Sequence, residues 1–224
     1  MPKHPALLLD LDGTLTDSVY QHALAWRTAL ELAGVQLSAW RIHRRIGMSG
    51  GLLAESLARE TGHELTDKEA EKVKQAHARQ FAAQMKDVRL LPGAKELMRH
   101  LTKMKVPWAV ATSGALASAR PLLELIDVPD GVPVISRDDV EHAKPNPDLW
   151  LAAAARLGVP PESSIAVGDS VWDLLAARRA RALGVGVLSG GYGAEELERA
   201  GAYRVYEDPA DLLLHIDELG IRAA

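Results

Sequence analysis

The sequence predicts an α/β protein, a Rossmann-like, doubly wound parallel sheet core that carries an inserted α-helical segment. Three observations lead there. Short apolar runs recur along the chain and each ends in Asp, Thr, Ser or Gly, as buried parallel strands do. Stretches with helical spacing lie between those runs, the alternation expected of a doubly wound sheet. One early segment, from about Val19 to Lys86, shows helical patterns without a strand. At 224 residues, 47% hydrophobic and 25% charged, the chain can form one ordinary domain plus such an insertion and bury a substantial core.

In chain order, Ala6–Leu9 reads as the first strand, running directly into Asp10. The insertion follows, with helices expected over Tyr20–Leu32, Gly51–Glu60 and Asp67–Met85. Leu91-Pro92-Gly93 supplies a turn and a start for a helix over Ala94–Met104. Strands at Trp108–Ala111, Val132–Ile135, Ile165–Val167 and Val185–Leu188 then alternate with helices at Ala115–Leu125, Pro147–Leu157 and Leu174–Leu183. Residues 1–18 and 87–224 are thereby assigned to the α/β core and residues 19–86 to the helical insertion.

Composition excludes several function classes. A formal charge of -4 and a pI near 6.1 provide no basic footprint, so neither nucleic acid nor a membrane surface is an expected partner. The absence of cysteine rules out disulfides and thiolate metal sites and fits a reducing compartment. The apolar run after Met1-Pro2-Lys3-His4-Pro5 is interrupted by Asp10 and is too short for a signal peptide or a membrane span. A cytoplasmic location is the expectation.

Chemistry concentrates where the strands end. Asp10 and Asp12 alternate with Leu11 at the exit of the first strand, so both carboxylates can point to one side, and Gly13 lets the backbone turn close to a ligand. Alone, such a pair is also what ends strands and caps helices. Val110-Ala111-Thr112-Ser113-Gly114 closes the second strand with hydroxyls and a glycine suited to phosphate oxygens, through Thr112 and backbone N–H groups. Lys144-Pro145-Asn146-Pro147-Asp148 sets a cation before two stiffening prolines, and Gly168-Asp169-Ser170-Val171-Trp172-Asp173 adds two acids after another strand.

Together DLDGTLTD, VATSG, KPNPD and GDSVWD resemble, in order, the four motifs of the haloacid dehalogenase-like phosphotransferases, and the insertion after the first motif resembles the small helical cap of one subclass. The second aspartate, followed by Thr14, is similar to the phosphatase and phosphomutase branches rather than the dehalogenases. The resemblance implies Asp10 as nucleophile, Asp12 as general acid and then base, and Thr112, Lys144, Gly13, Ser113 and Gly114 around the phosphate. It further implies Mg²⁺ held by Asp169, by a carboxylate oxygen of Asp10 and by the carbonyl of Asp12, with Asp173 orienting Lys144 or metal-bound water. The all-oxygen donor set independently favours Mg²⁺ over zinc. A carboxylate nucleophile needs positive charge on an anionic phosphate, and Asp12 must carry a proton when the substrate arrives.

Substrate selection falls to the cap. Arg44-Arg45-Ile46-Gly47-Met48-Ser49-Gly50-Gly51 joins cations, a hydroxyl and glycines. It reads either as a loop dipping toward the leaving group, with Arg44 and Arg45 pairing a substrate carboxylate and Gly47 and Met48 in contact, or as a helix linker with solvent-facing arginines. His22 either approaches the site or packs. Asp10 to Trp26 is also similar to the start of β-phosphoglucomutase, whose cap-loop arginine for a second phosphate is replaced here, in an ungapped reading, by Gly50. The function expected is a Mg²⁺-dependent phosphatase of phosphoglycolate-phosphatase type acting on a small phosphorylated metabolite. A sugar-phosphate mutase and a non-catalytic phosphate-binding regulator are the alternatives.

Overall fold

A computed structural model describes residues 4–222. Residues 1–3 and 223–224, assigned above to the core, lie outside the described residues. The elements are β1 (Ala6–Leu9), β2 (Thr16–Asp17), α1 (Val19–Glu31), α2 (Ala39–His43), α3 (Gly50–Glu60), α4 (Asp67–Gln84), β3 (Arg89–Leu90), α5 (Ala94–Lys103), β4 (Trp108–Ala111) and α6 (Leu116–Ile126). They continue with β5 (Val134–Ile135), α7 (Asp148–Arg156), β6 (Ser164–Gly168), α8 (Val171–Ala180), β7 (Leu183–Val187), α9 (Ala194–Ala200), β8 (Ala202–Tyr206) and α10 (Pro209–Leu214).

Six strands form one parallel sheet in the order β5-β4-β1-β6-β7-β8. Alternation within the strands explains its two-sided burial. Leu7, Leu9, Trp108, Val110, Ile165 and Val167 point to one face, where α5 and α6 supply Leu97, Met98 and Leu122. Ala6, Leu8, Ala109, Ala111 and Ala166 point to the other. The small alanines there admit α7 and α8 closely, through Trp150, Ala153, Ala176 and Ala177. The chain lays down β4 and β5 on one side of β1, then crosses to place β6 on the other, so a crevice opens at the carboxyl ends of β1, β4 and β6.

Helices α1 to α4 bury their own cluster, including Trp26, Leu30, Ile42, Leu53, Leu57 and Val73. A capping box of Thr66 and Glu69 starts α4. The two chain segments that lead into and out of this helical unit pair as the antiparallel ribbon β2–β3, with Thr16 opposite Leu90.

Several boundaries differ from those expected. The strand expected at Val132–Ile135 is confined to Val134–Ile135. The helix expected at Leu174–Leu183 begins at Val171 and stops at Ala180, because Arg181 adopts the left-handed conformation at its C-cap and Leu183 opens β7. Leu188 leaves β7 for a short 3₁₀ turn. Helices α2, α9 and α10 and strands β2, β3 and β8 were not anticipated. Among the described residues no helix is long and apolar enough to cross a membrane.

Candidate active site

Asp10 follows β1 directly, is buried, and donates its N–H to Val167 O of β6 at 2.9 Å, which fixes it between two central strands. Lys144 approaches from the loop before α7 and is only 1% exposed. Its Nζ donates to Asp10 Oδ1 and to Ala111 O (3.3 Å), and lies 2.6 Å from Asp173 Oδ1. The Trp150 ring of α7 sits 4.4 Å from the same ammonium, and its Nε1 donates to Asp173 O at 3.2 Å. Burial works against a charged Lys144, but Asp10 and Asp173 outweigh it and hold the ammonium protonated. Burial, with the negative charges of Asp173 and Asp12, pushes the Asp10 carboxyl up to about 8 despite Lys144.

Asp173 also holds two groups of Ser170. Its Oδ2 accepts from Ser170 N (3.1 Å) and Ser170 Oγ (2.5 Å), completing the capping box of α8. No well-aligned hydrogen bond reaches its buried Oδ1, whose partner is the Lys144 charge alone. Asp169 is equally buried and receives Thr14 Oγ1 at 3.3 Å. Burial, then Asp173 and Asp10, raises its carboxyl well above the ordinary range.

These three acids satisfy a test for a cation. Asp10, Asp169 and Asp173 each offer an oxygen within 4.8 Å of the others. Ionised, three carboxylates against one ammonium carry two negative charges that burial opposes and that a divalent ion would offset. The surrounding backbone is shaped to that crowding: a Cβ on Gly190 would come within 1.8 Å of Asp169 Oδ2. The donors are all hard oxygens, which suits Mg²⁺.

Asp12 is held differently. Ser18 Oγ donates to its Oδ1 at 2.6 Å, and His22 Nε2 lies 3.0 Å from the same oxygen. Burial raises Asp12, but His22 and the two hydrogen bonds outweigh it and lower its pKa. The expected proton on Asp12 is therefore disfavoured, because its partners His22 and Ser18 stabilise the carboxylate. His22 Nδ1 is 3.0 Å from His77 Nε2, and the His22 ring stacks on Phe81 with centroids 3.7 Å apart. His77 stacks on Trp26, and burial followed by the neighbouring His22 keeps its pKa well below the usual histidine range. His22 thus packs against Phe81 while its Nε2 lies against Asp12.

The anticipated phosphate loop is partly committed to protein contacts. Thr112 is buried, and its Oγ1 accepts from Gly114 N at 3.0 Å, which leaves the hydroxyl proton available. Ser113 Oγ instead donates to Gly47 O of the helical segment at 3.0 Å. Gly13 gives its N–H to Thr16 O (2.7 Å) and accepts Ser189 Oγ on its carbonyl (2.6 Å), so here it shapes the loop.

The cap arginines depart furthest from expectation. Arg44 reaches the core, where its guanidinium pairs with Glu196 and stacks 4.1 Å over Tyr192. Its carbonyl accepts from Trp172 Nε1 (3.2 Å) and Tyr192 OH (2.9 Å). Arg45 pairs with Glu60 at 3.2 Å. Both side chains are neutralised by protein carboxylates and neither lines the cavity, whereas Gly47, Met48 and His22 do. The expectation that the arginines face a substrate carboxylate is corrected accordingly.

Residues 4–181 match the model of the haloacid dehalogenase-like hydrolases. The chain belongs to that family. Hexitol phosphatase A of Escherichia coli (strain K12) is 32% identical over 166 residues, covering 73% of this chain and 73% of that protein. Phosphoglycolate phosphatase of Rhodospirillum rubrum is 31% identical and covers 95% of this chain and 90% of its own. A crystal structure of a hydrolase from Pseudomonas syringae is 50% identical, with a TM-score of 0.94 over 96% of this chain and 99% of that one. As a haloacid dehalogenase-like hydrolase, the chain carries its acids at the strand ends where the fold places ligands.

Ser18, His77, Gly190 and Tyr192 were not anticipated at or beside the site. One signal was present: Ser189-Gly190-Gly191 is a small-residue cluster just past a strand, the same position in the sheet that marked the other motifs.

Proposed function

We propose that this hydrolase is a Mg²⁺-dependent phosphatase of phosphoglycolate-phosphatase type, cleaving a small organic phosphomonoester in the cytoplasm through an aspartyl-phosphate on Asp10, with residues 19–86 as its cap. The observation that carries this reading is the buried Lys144, bonded to Asp10 and ion-paired with Asp173 beside a cavity that Asp10, Asp12 and Thr112 line. Pure phosphate binding has no use for a carboxylate in contact with the anion, because the two repel; a nucleophile does.

Asp10 Oδ attacks phosphorus, the bond to the substrate oxygen breaks, and Asp12 donates its proton to the leaving alkoxide. Asp12 then takes a proton from water, whose oxygen attacks the phosphorus of the acyl-phosphate, releasing inorganic phosphate and restoring Asp10. Substrate negative charge arriving beside Asp12 raises its affinity for the proton that His22 and Ser18 disfavour. Lys144 and Thr112 hold phosphate oxygens. Mg²⁺ on Asp169, Asp10 and the Asp12 carbonyl would supply positive charge that keeps Asp10 ionised beside an anionic substrate.

The mutase alternative has less support. The place at which the sequence resemblance puts an arginine for a second phosphate is Gly50, and Arg44 and Arg45 are engaged elsewhere. Phosphate release from an aryl phosphate with and without Mg²⁺, combined with trapping of a hydroxylamine-labile phosphoenzyme, tests the proposal. Release without metal, or undiminished release by Asp10→Asn, would sink it.

A further inference from the structure

Ser189-Gly190-Gly191 follows β7, and no step of the proposed reaction uses it. The segment lies between the buried acids and the helical unit. On its inner side, a Cβ on Gly190 would run into Asp169 Oδ2, as would one on Gly13, so two glycine backbones enclose that carboxylate oxygen. On its outer side, a Cβ on Gly191 would stand 2.7 Å from Tyr20 OH and 3.0 Å from His43 Nε2. Residues without a side chain let the turn fit both approaches, and Gly191 also closes it at a φ of +86°.

The fastening from the helical unit is polar. His43 Nε2 donates to Gly190 O at 2.8 Å, and because a carbonyl only accepts, that nitrogen carries the proton. The imidazole is stacked on Tyr20 of α1, with ring centroids 5.2 Å apart. One residue on, Arg44 O accepts Tyr192 OH at 2.9 Å. The core holds the turn through Ser189 Oγ on Gly13 O and Leu188 N on Glu207 O, and neither bond engages Gly190. Gly190 is buried, so His43 supplies the donor that its carbonyl needs. By contrast, Ala25 and Phe81 of the helical unit are buried in one apolar cluster with Leu15 and Val88, which flank the β2–β3 ribbon. The polar edge at Gly190 therefore loosens before the apolar one, since its bonds can be exchanged for water.

Resting on the Mg²⁺-dependent reading, we infer that His43 is a positioning residue for the metal: by gripping Gly190 it holds Asp169 beside Asp10 and Asp173, so that docking of the helical unit and Mg²⁺ affinity are coupled. When His43 lets go, the turn gains freedom and Asp169 loses one wall. Ordering the three carboxylates then opposes binding of the ion. Coupling is reciprocal, so bound Mg²⁺ strengthens the docking by the same factor.

Isothermal titration calorimetry with Mg²⁺ alone reads the affinity without turnover. His43→Leu, which cannot donate, should raise the Kd about fivefold or more, whereas His43→Gln, whose amide N–H can donate to Gly190 O, should stay near the wild type. Hydrogen–deuterium exchange reads the reciprocal effect: Mg²⁺ should slow exchange across α2 in the wild type and not in His43→Leu. Thermal melting verifies folding, and Tyr192→Phe, which deletes only the hydroxyl on Arg44 O, replaces His43→Leu with the same direction of effect if the latter does not fold. An unchanged Kd in the folded variant, an equal loss in His43→Gln, or wild-type exchange across α2 that ignores Mg²⁺ overturns the inference while the phosphatase reading stands. A wild type that binds no Mg²⁺ overturns both.

Discussion

In the buried floor of the site, of which only Asp10 lines the cavity, Asp10, Lys144, Asp169 and Asp173 are at most 6% exposed, and strand ends, a helix cap and the Trp150 ring hold them. On the cap, the side chains of Arg44 and Arg45 are 32% and 31% exposed and pair with Glu196 and Glu60. Charges of the same kinds thus occur in two settings. In the floor they are desolvated, so removing one leaves the others unbalanced; in the cap, water can replace a lost partner. Substitution is therefore costly in the buried cluster and cheap at the exposed arginines.

The sharpest challenge to that contrast is Asp10→Asn, which should lower kcat by at least about a thousandfold with a preserved melting curve, because the amide cannot form the acyl-phosphate. Asp12→Asn should follow at about a hundredfold to ten-thousandfold, read as kcat on an alkyl phosphate. For stability, Lys144→Met strips the buried acids of their cation and should cost about 3–5 kcal/mol in urea unfolding under metal-free conditions. Chelation should abolish turnover and Mg²⁺ should restore it. Gly190→Ala, which forces a methyl against Asp169, should raise the Mg²⁺ concentration needed for half-maximal activity while costing about 1–3 kcal/mol in thermal or urea unfolding. At the other end of the scale, Arg45→Ala breaks a partly exposed pair with Glu60 and should change stability by less than about 1 kcal/mol. A large loss from Arg45→Ala, or a mild one from Lys144→Met, would erase the distinction between floor and cap.

The same contrast governs what could be read in the sequence. Ala6–Leu9 and Trp108–Ala111 are legible because both faces of a central parallel strand are covered, leaving uninterrupted apolar letters. Strand β8 is not, because it lies at the sheet edge with Tyr203 and Arg204 exposed. The ribbon β2–β3 has two residues per strand, too few for any periodicity. Asp10 and Asp169 stand at strand ends, and Lys144 and Asp173 lie in short motifs beside them, whereas the setting of Arg44 depends on Tyr192 and Glu196, about 150 residues away. Nothing local to Arg44-Arg45 tells a guanidinium whether its carboxylate belongs to a substrate or to α9.

Lys144 also has a second end. While its ammonium holds Asp10, its carbonyl accepts the N–H of Ser49 at 3.2 Å, just before α3 begins. The start of α3 is therefore moored to Asp10 through the atoms of one residue, whose backbone holds Ser49 and whose side chain carries the counter-charge of Asp10. Docking of α3 and the electrostatics of Asp10 share one mechanical coordinate.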